Sequence, residues 1–99
     1  MARQFDVFRT AGGVLVTVVQ SDLLEAMQTR VVVPLLPAGA AGRSLGGLNP
    51  EIDLGGEAVV LMPQLAATLT LAELREPVGS IAHLRDTVTR AVDLLLSGV

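Results

Sequence analysis

The sequence predicts a mostly β fold: a small antiparallel sheet or partly closed barrel followed by one C-terminal α-helix. Two observations carry this reading. Four β-prone runs are joined in pairs across glycine turns, at Gly12-Gly13 and Gly55-Gly56. Helical periodicity is clear only near the end, where Ile81, Leu84, Val88, Val92 and Leu95 recur at spacings of three and four.

Residues 5–9 (FDVFR) and 14–20 (VLVTVVQ) flank Thr10-Ala11-Gly12-Gly13 and read as a hairpin. The second run is apolar at nearly every position, which predicts a strand covered on both faces. Ser21-Asp22-Leu23-Leu24 breaks it and starts a turn or short helical piece reaching Met27. Residues 30–36 (RVVVPLL) form a third strand, and Pro34, unable to donate to a ladder, predicts an edge or a bulge. Residues 37–49 have the small, glycine-rich composition of a mobile surface loop.

Residues 51–54 and 57–62 make a second hairpin, and the alternation in its first arm gives that arm one wet face. Pro63 ends it. Residues 67–71 read as a further strand, although Leu71 to Leu74 suit a helical turn equally well. Residues 76–80 (EPVGS) read as a linker, with Ser80 as N-cap of a helix running from Ile81 to about Leu96. His83, Asp86, Arg90, Asp93 and Ser97 fall opposite the apolar stripe, with Leu94 and Leu96 on its flanks.

Ninety-nine residues, half of them apolar, suit one domain spanning 1–99. Phe5 and Phe8 are the only aromatics, so stacking platforms for single-stranded nucleic acid are not expected. A net charge of −3 and seven dispersed arginines argue equally against phosphate binding, and no direct nucleic-acid partner is expected. The absence of cysteine excludes disulfides and thiolate metal sites. A charge comes too soon after Met1 for a signal peptide, and no apolar run approaches the ~18 residues of a membrane span. The expectation is a soluble, cytoplasmic, acidic protein with no membrane association and no cofactor. Its low charge and high apolar content point to a buried oligomer face.

Catalytic signatures are sparse. His83, the only histidine, suits a solvated helix position better than a general base. Glu51, Asp53 and Glu57 cluster around a hairpin without calcium-loop spacing and read as solvated charges. The glycine pairs match no phosphate loop. Ser21 and Ser44 lack any sign of a base or orienting partner. What stands out instead is a pair of apolar candidates for a protein-binding patch, Leu23-Leu24 after the second strand and Leu94, Leu96 and Val99 at the end of the helix, with ordinary core packing as the alternative for Leu24 and Leu96.

The order of these segments resembles a known family. Gln20-Ser21-Asp22-Leu23-Leu24 after a valine-rich strand is similar to the Gln-Ser-Asp and two aliphatics of CcdB, the toxin of plasmid toxin–antitoxin modules. Val32-Val33-Pro34-Leu35 resembles its aliphatic-Pro-Leu strand. Leu48-Asn49-Pro50 and Gly55-Gly56-Glu57 fall where its central hairpin falls, and Ala91-Val92-Asp93-Leu94 and Gly98-Val99 resemble its terminal helix. The resemblance spans essentially the whole chain. It implies an SH3-like barrel of the CcdB, Kid and MazF type and a homodimer without enzymatic activity. The implied target is the DNA gyrase A subunit, trapped with cleaved DNA, and the implied neutralising partner is a CcdA-like antitoxin.

Carried over position by position, the resemblance implies a gyrase-binding set of Leu23, Leu24, Asp93, Leu96, Ser97, Gly98 and Val99. Two aromatic anchors of the family are missing from it: Ser97 stands in place of a tryptophan and Leu96 in place of a phenylalanine. Asp93 replaces an asparagine and puts an acid where the helix dipole disfavours it. The implied consequence is weakened gyrase poisoning. The alternatives are an RNA-cleaving toxin of the Kid and MazF type, or a non-toxic homologue that only binds antitoxin.

Overall fold

A computed structural model describes residues 2–98. Among the described residues, seven strands form one antiparallel sheet: β1 (Asp6–Thr10), β2 (Leu15–Val18), β3 (Thr29–Pro37), β4 (Glu51–Leu54), β5 (Glu57–Leu61), β6 (Ala67–Thr70) and β7 (Leu74–Ser80). The order is β4-β5-β3-β2-β1-β7, with β6 also paired to β3. The sheet curls into a half-barrel, and one helix, α1 (Arg85–Ser97), packs against one face.

The two hairpins lie where the glycine turns place them. Gly55 and Gly56 have φ of 60° and 91°, the positive pair a two-residue turn requires, and Asp53 Oδ1 accepts the Gly56 N–H at 2.8 Å. The valine-rich strands are covered on both faces. Val7, Leu15, Val33 and Leu35 point toward Ile52, Leu61, Ile81, Val88 and Ala91 in the larger core. Their neighbours Phe8, Val16 and Val32 join Val18 and Leu74 in a second core on the other face. Period-two alternation divides each strand between these cores.

Three expectations need correction. Pro34 lies on the central strand, not at an edge. β3 pairs with β2 along one side, while its other side pairs with β6 at Thr29–Val32 and with β5 at Leu35–Pro37. The Pro34 carbonyl accepts the Met62 N–H at 3.0 Å on that second side, so its missing N–H falls at the seam between two partners. Residues 76–80 belong to strand β7, paired with β1, rather than to a linker. A register shift between Val7 and Phe8 absorbs Val78, and an edge position tolerates Pro77. The helix, finally, starts at Arg85, because residues 82–84 form a 3₁₀ turn. Ser80 Oγ still accepts the Ala82 N–H at 3.1 Å.

The buried stripe ends sooner than its spacing predicts. Ile81, Val88 and Ala91 are buried, Leu84 and Val92 are half-buried, and Leu95 is 41% exposed instead of belonging to the core. Leu94 leans on the loop before β4: a β-carbon added at Gly47 would lie 3.8 Å from Leu94 Cδ2.

The corner between β6 and β7 combines the two readings of that segment, a strand followed by a 3₁₀ turn at Leu71–Glu73. Glu73 accepts the Thr70 N–H at 2.8 Å and its hydroxyl at 2.9 Å, which holds the carboxyl below its ordinary range.

The glycine-rich segment before β4 lies on the surface but is pinned by buried Asn49. Its Nδ2 donates to the Leu61 carbonyl at 3.0 Å and to Gln64 Oε1 at 2.9 Å, and its Oδ1 accepts the Leu45 N–H at 3.0 Å. Asn49→Ala leaves those groups without partners. It is expected to lower stability by about 2 kcal/mol in thermal denaturation followed by circular dichroism.

Candidate functional site

Residues 21–28 between β2 and β3 are exposed at every position. Leu23 is 94% exposed and Leu24 and Met27 are each 49% exposed, so three large apolar side chains stand in water on one short turn. Ser21 caps the 3₁₀ turn Asp22–Leu24, its Oγ accepting the Leu23 N–H at 3.1 Å. Asp22 is tied to the N-terminal segment, its Oδ1 accepting the Gln4 N–H at 2.8 Å.

The second apolar display is the last turn of α1. Leu96 is 76% exposed and Leu95 stands beside it. Ser97 donates its hydroxyl to the Asp93 carbonyl at 2.9 Å, so its polar group is turned back along the helix. Gly98, at φ 75°, ends the helix and donates its N–H to the Leu94 carbonyl at 3.0 Å. Val99 lies outside the described residues.

Gln4 links the Leu23 turn to the groove beside α1. Gln4 holds Asp22 by its main chain, donates from Nε2 to the Val19 carbonyl at 3.0 Å, and accepts from Arg85 Nη1 at 3.5 Å. Together with Phe5, Val19, Val88, Thr89, Val92 and Asp93 it lines a groove of about 140 Å³ between the sheet and α1. Asp93 therefore shares a groove with the residue that secures the Leu23 turn, whereas Leu23, Leu24, Leu96, Ser97 and Gly98 do not line it. Phe5 is the residue that bends the chain there: its φ of 70° is the one positive value at a non-glycine among the described residues.

Sequence reading missed Gln4, Phe5, Gln20 and Arg30 as determinants of this region. A signal for the last two was present. They are the polar residues that bracket the turn at the ends of two strands otherwise rich in valine, and both are buried. Among the described residues, no group of three or more histidine, aspartate or glutamate side chains could hold a metal ion. No helix among them is long and apolar enough to cross a membrane.

A curled antiparallel half-barrel with one terminal helix is an architecture also found among nucleases. A solved structure described as an endoribonuclease from mycobacterial species superposes with a TM-score of 0.77 at 15% identity, over 95% of this chain and 89% of that one. The sequence places the chain more narrowly. A family model described as "CcdB protein" matches residues 4–98, and the chain belongs to the CcdB family. Membership suggests a toxin of a toxin–antitoxin module, with an antitoxin as partner.

Proposed function

We propose that this protein is a homodimeric toxin that acts by binding the DNA gyrase A subunit and trapping its complex with cleaved DNA, until an antitoxin neutralises it. The whole chain serves as one toxin unit. The exposure of Leu23 and Leu96 on two hydrogen-bonded turns, at positions to which the family resemblance assigns target binding, carries this reading. Leu24, Asp93, Ser97, Gly98 and Val99 complete the proposed contact set. Apolar side chains held in water by main-chain hydrogen bonds contribute little to folding and are available to a partner. The same surface supports action by binding rather than by catalysis.

The fold shared with an endoribonuclease supports a second reading, an RNA-cleaving toxin. Induced expression without antitoxin separates the two. Growth arrest with accumulated gyrase–DNA cleavage complexes is expected, and arrest with RNA fragmentation but intact chromosomal DNA overturns the gyrase reading. Growth without arrest, with antitoxin binding retained, identifies a homologue that only binds antitoxin.

Ser97 supplies a sharper test. Its hydroxyl is spent on the Asp93 carbonyl, and no bulky side chain occupies the position. Ser97→Trp is expected to strengthen gyrase A binding about thirtyfold, the effect of one aromatic anchor. Unchanged affinity in a calorimetric titration places the contact elsewhere on the chain.

A further inference from the structure

The exposed turn at 21–28 poses a physical problem. Eight consecutive exposed residues bury no side chain that would hold them in place, yet three of them present large apolar groups to water. Such a segment ordinarily samples many conformations, and ordering it on binding costs affinity. Beyond the Ser21 cap and the Asp22–Gln4 bond, the structure holds it by its main chain, from two buried side chains beneath it.

Arg30 is the larger of the two, at 2% exposed. Its Nη1 donates to the carbonyls of Met27 at 2.7 Å and Thr29 at 2.9 Å, and its Nη2 donates to that of Glu25 at 3.0 Å. Its Nε donates to the Ala2 carbonyl at 3.0 Å. Four of the five guanidinium N–H groups thus end on main-chain oxygens, two of them in the turn, at Glu25 and Met27, and one at Thr29 where β3 begins. Peptide dipoles, not a carboxylate, meet the charge. Gln20 does the rest: its Oε1 accepts the Val31 N–H at 3.0 Å and its Nε2 donates to the Leu24 carbonyl at 3.3 Å. The turn's own bonds, from Leu24 N–H to Ser21, Glu25 N–H to Asp22 and Met27 N–H to Leu24, complete the set.

We propose that Arg30 is a positioning residue for partner binding: by gathering the carbonyls of Glu25, Met27 and Thr29 it pre-orders the turn, so that Leu23, Leu24 and Met27 meet the partner already in place. The inference rests on the reading of Leu23 and Leu24 as gyrase-contact residues. Only a planar, five-donor group spans four converging carbonyls; an ammonium brings three donors from a single point.

Arg30→Lys keeps the charge and breaks the span. Amide hydrogen exchange is expected to quicken about tenfold or more at Leu24, Glu25 and Met27, while the β2–β3 ladder amides keep their protection. Binding to gyrase A is expected to weaken about tenfold, mainly through slower association. Leu23→Ala is expected to lose affinity without altering exchange. The double variant is expected to lose little beyond Leu23→Ala, since both changes act on one contact. Gln20→Met, which removes the second support, is expected to loosen the same amides and keeps the test open should Arg30→Lys fail to fold. Unchanged exchange in the turn, equal loosening of turn and ladder, or fully additive losses each overturn the proposal. Wild-type protein that fails to bind gyrase A overturns the functional reading instead, and the exchange pattern still decides whether Arg30 orders the turn.

Discussion

Leu23→Asp is expected to abolish growth arrest and to lower affinity for gyrase A at least about a hundredfold, with the melting temperature within about 2 °C of wild type. The two halves of this expectation have one cause. At 94% exposure, Leu23 buries almost nothing on folding, and its N–H is capped by Ser21 whatever its side chain. A carboxylate there stays fully hydrated in the free protein. In an apolar contact it must shed that water without a partner, which costs more than simple truncation of an anchor. Calorimetric titration and a thermal melt followed by circular dichroism check the two halves separately. Retained affinity moves the contact away from this turn.

Phe5→Ala is expected to be the most destabilising substitution, at about 3–5 kcal/mol, and to lower the melting temperature by roughly 15 °C or more. The ring is buried in the larger core, with Arg85 Cζ 4.9 Å from its centroid. The main chain is held on both sides: the Phe5 N–H donates to the Val18 carbonyl at 2.6 Å, and the Phe5 carbonyl accepts the Ile81 N–H at 2.9 Å. Those bonds join the N-terminal segment to β2 and to the start of the helical region, and they hold the residue at φ 70° against its steric preference. Alanine keeps that strain and loses the ring packing that offsets it. The damage extends to the site, because Gln4, one residue away, secures Asp22 beneath the Leu23 turn. Arrest should therefore weaken at temperatures where the variant is still folded; undiminished toxicity there separates the N-terminal segment from the site.

Much of this molecule was legible in its sequence. The hairpins, the doubly covered strands, the turn after Gln20 and the terminal helix all follow from short-range patterns: a glycine pair, a nearly unbroken apolar run, a polar cap and a stripe at spacings of three and four. The candidate contact residues were legible only partly. Leu23 and Leu96 are exposed rather than packed in the core, while the place given to Leu95 in the core fails, because Leu95 lies in the last turn of α1, two turns beyond buried Val88. Helical spacing reports which residues share a face, not how far along the helix the sheet still covers that face.

Strand β7 was hidden for a different reason. Pro77 and Gly79 look like a linker, and what makes the segment a strand is the free edge of β1 alongside it. Pro34 misled in the opposite direction, since its fitness for a central strand depends on where β5 ends and Ala67 begins. Composition and local periodicity by themselves determined an antiparallel sheet, a terminal helix and an apolar turn after β2. Only the tertiary structure decided that the turn is ordered, because burial of Arg30 and Gln20 between distant segments aims their polar groups at its main chain, and Gln4 reaches across to Asp22. Local pattern sets which way a side chain faces, whereas long-range contact sets what it finds there.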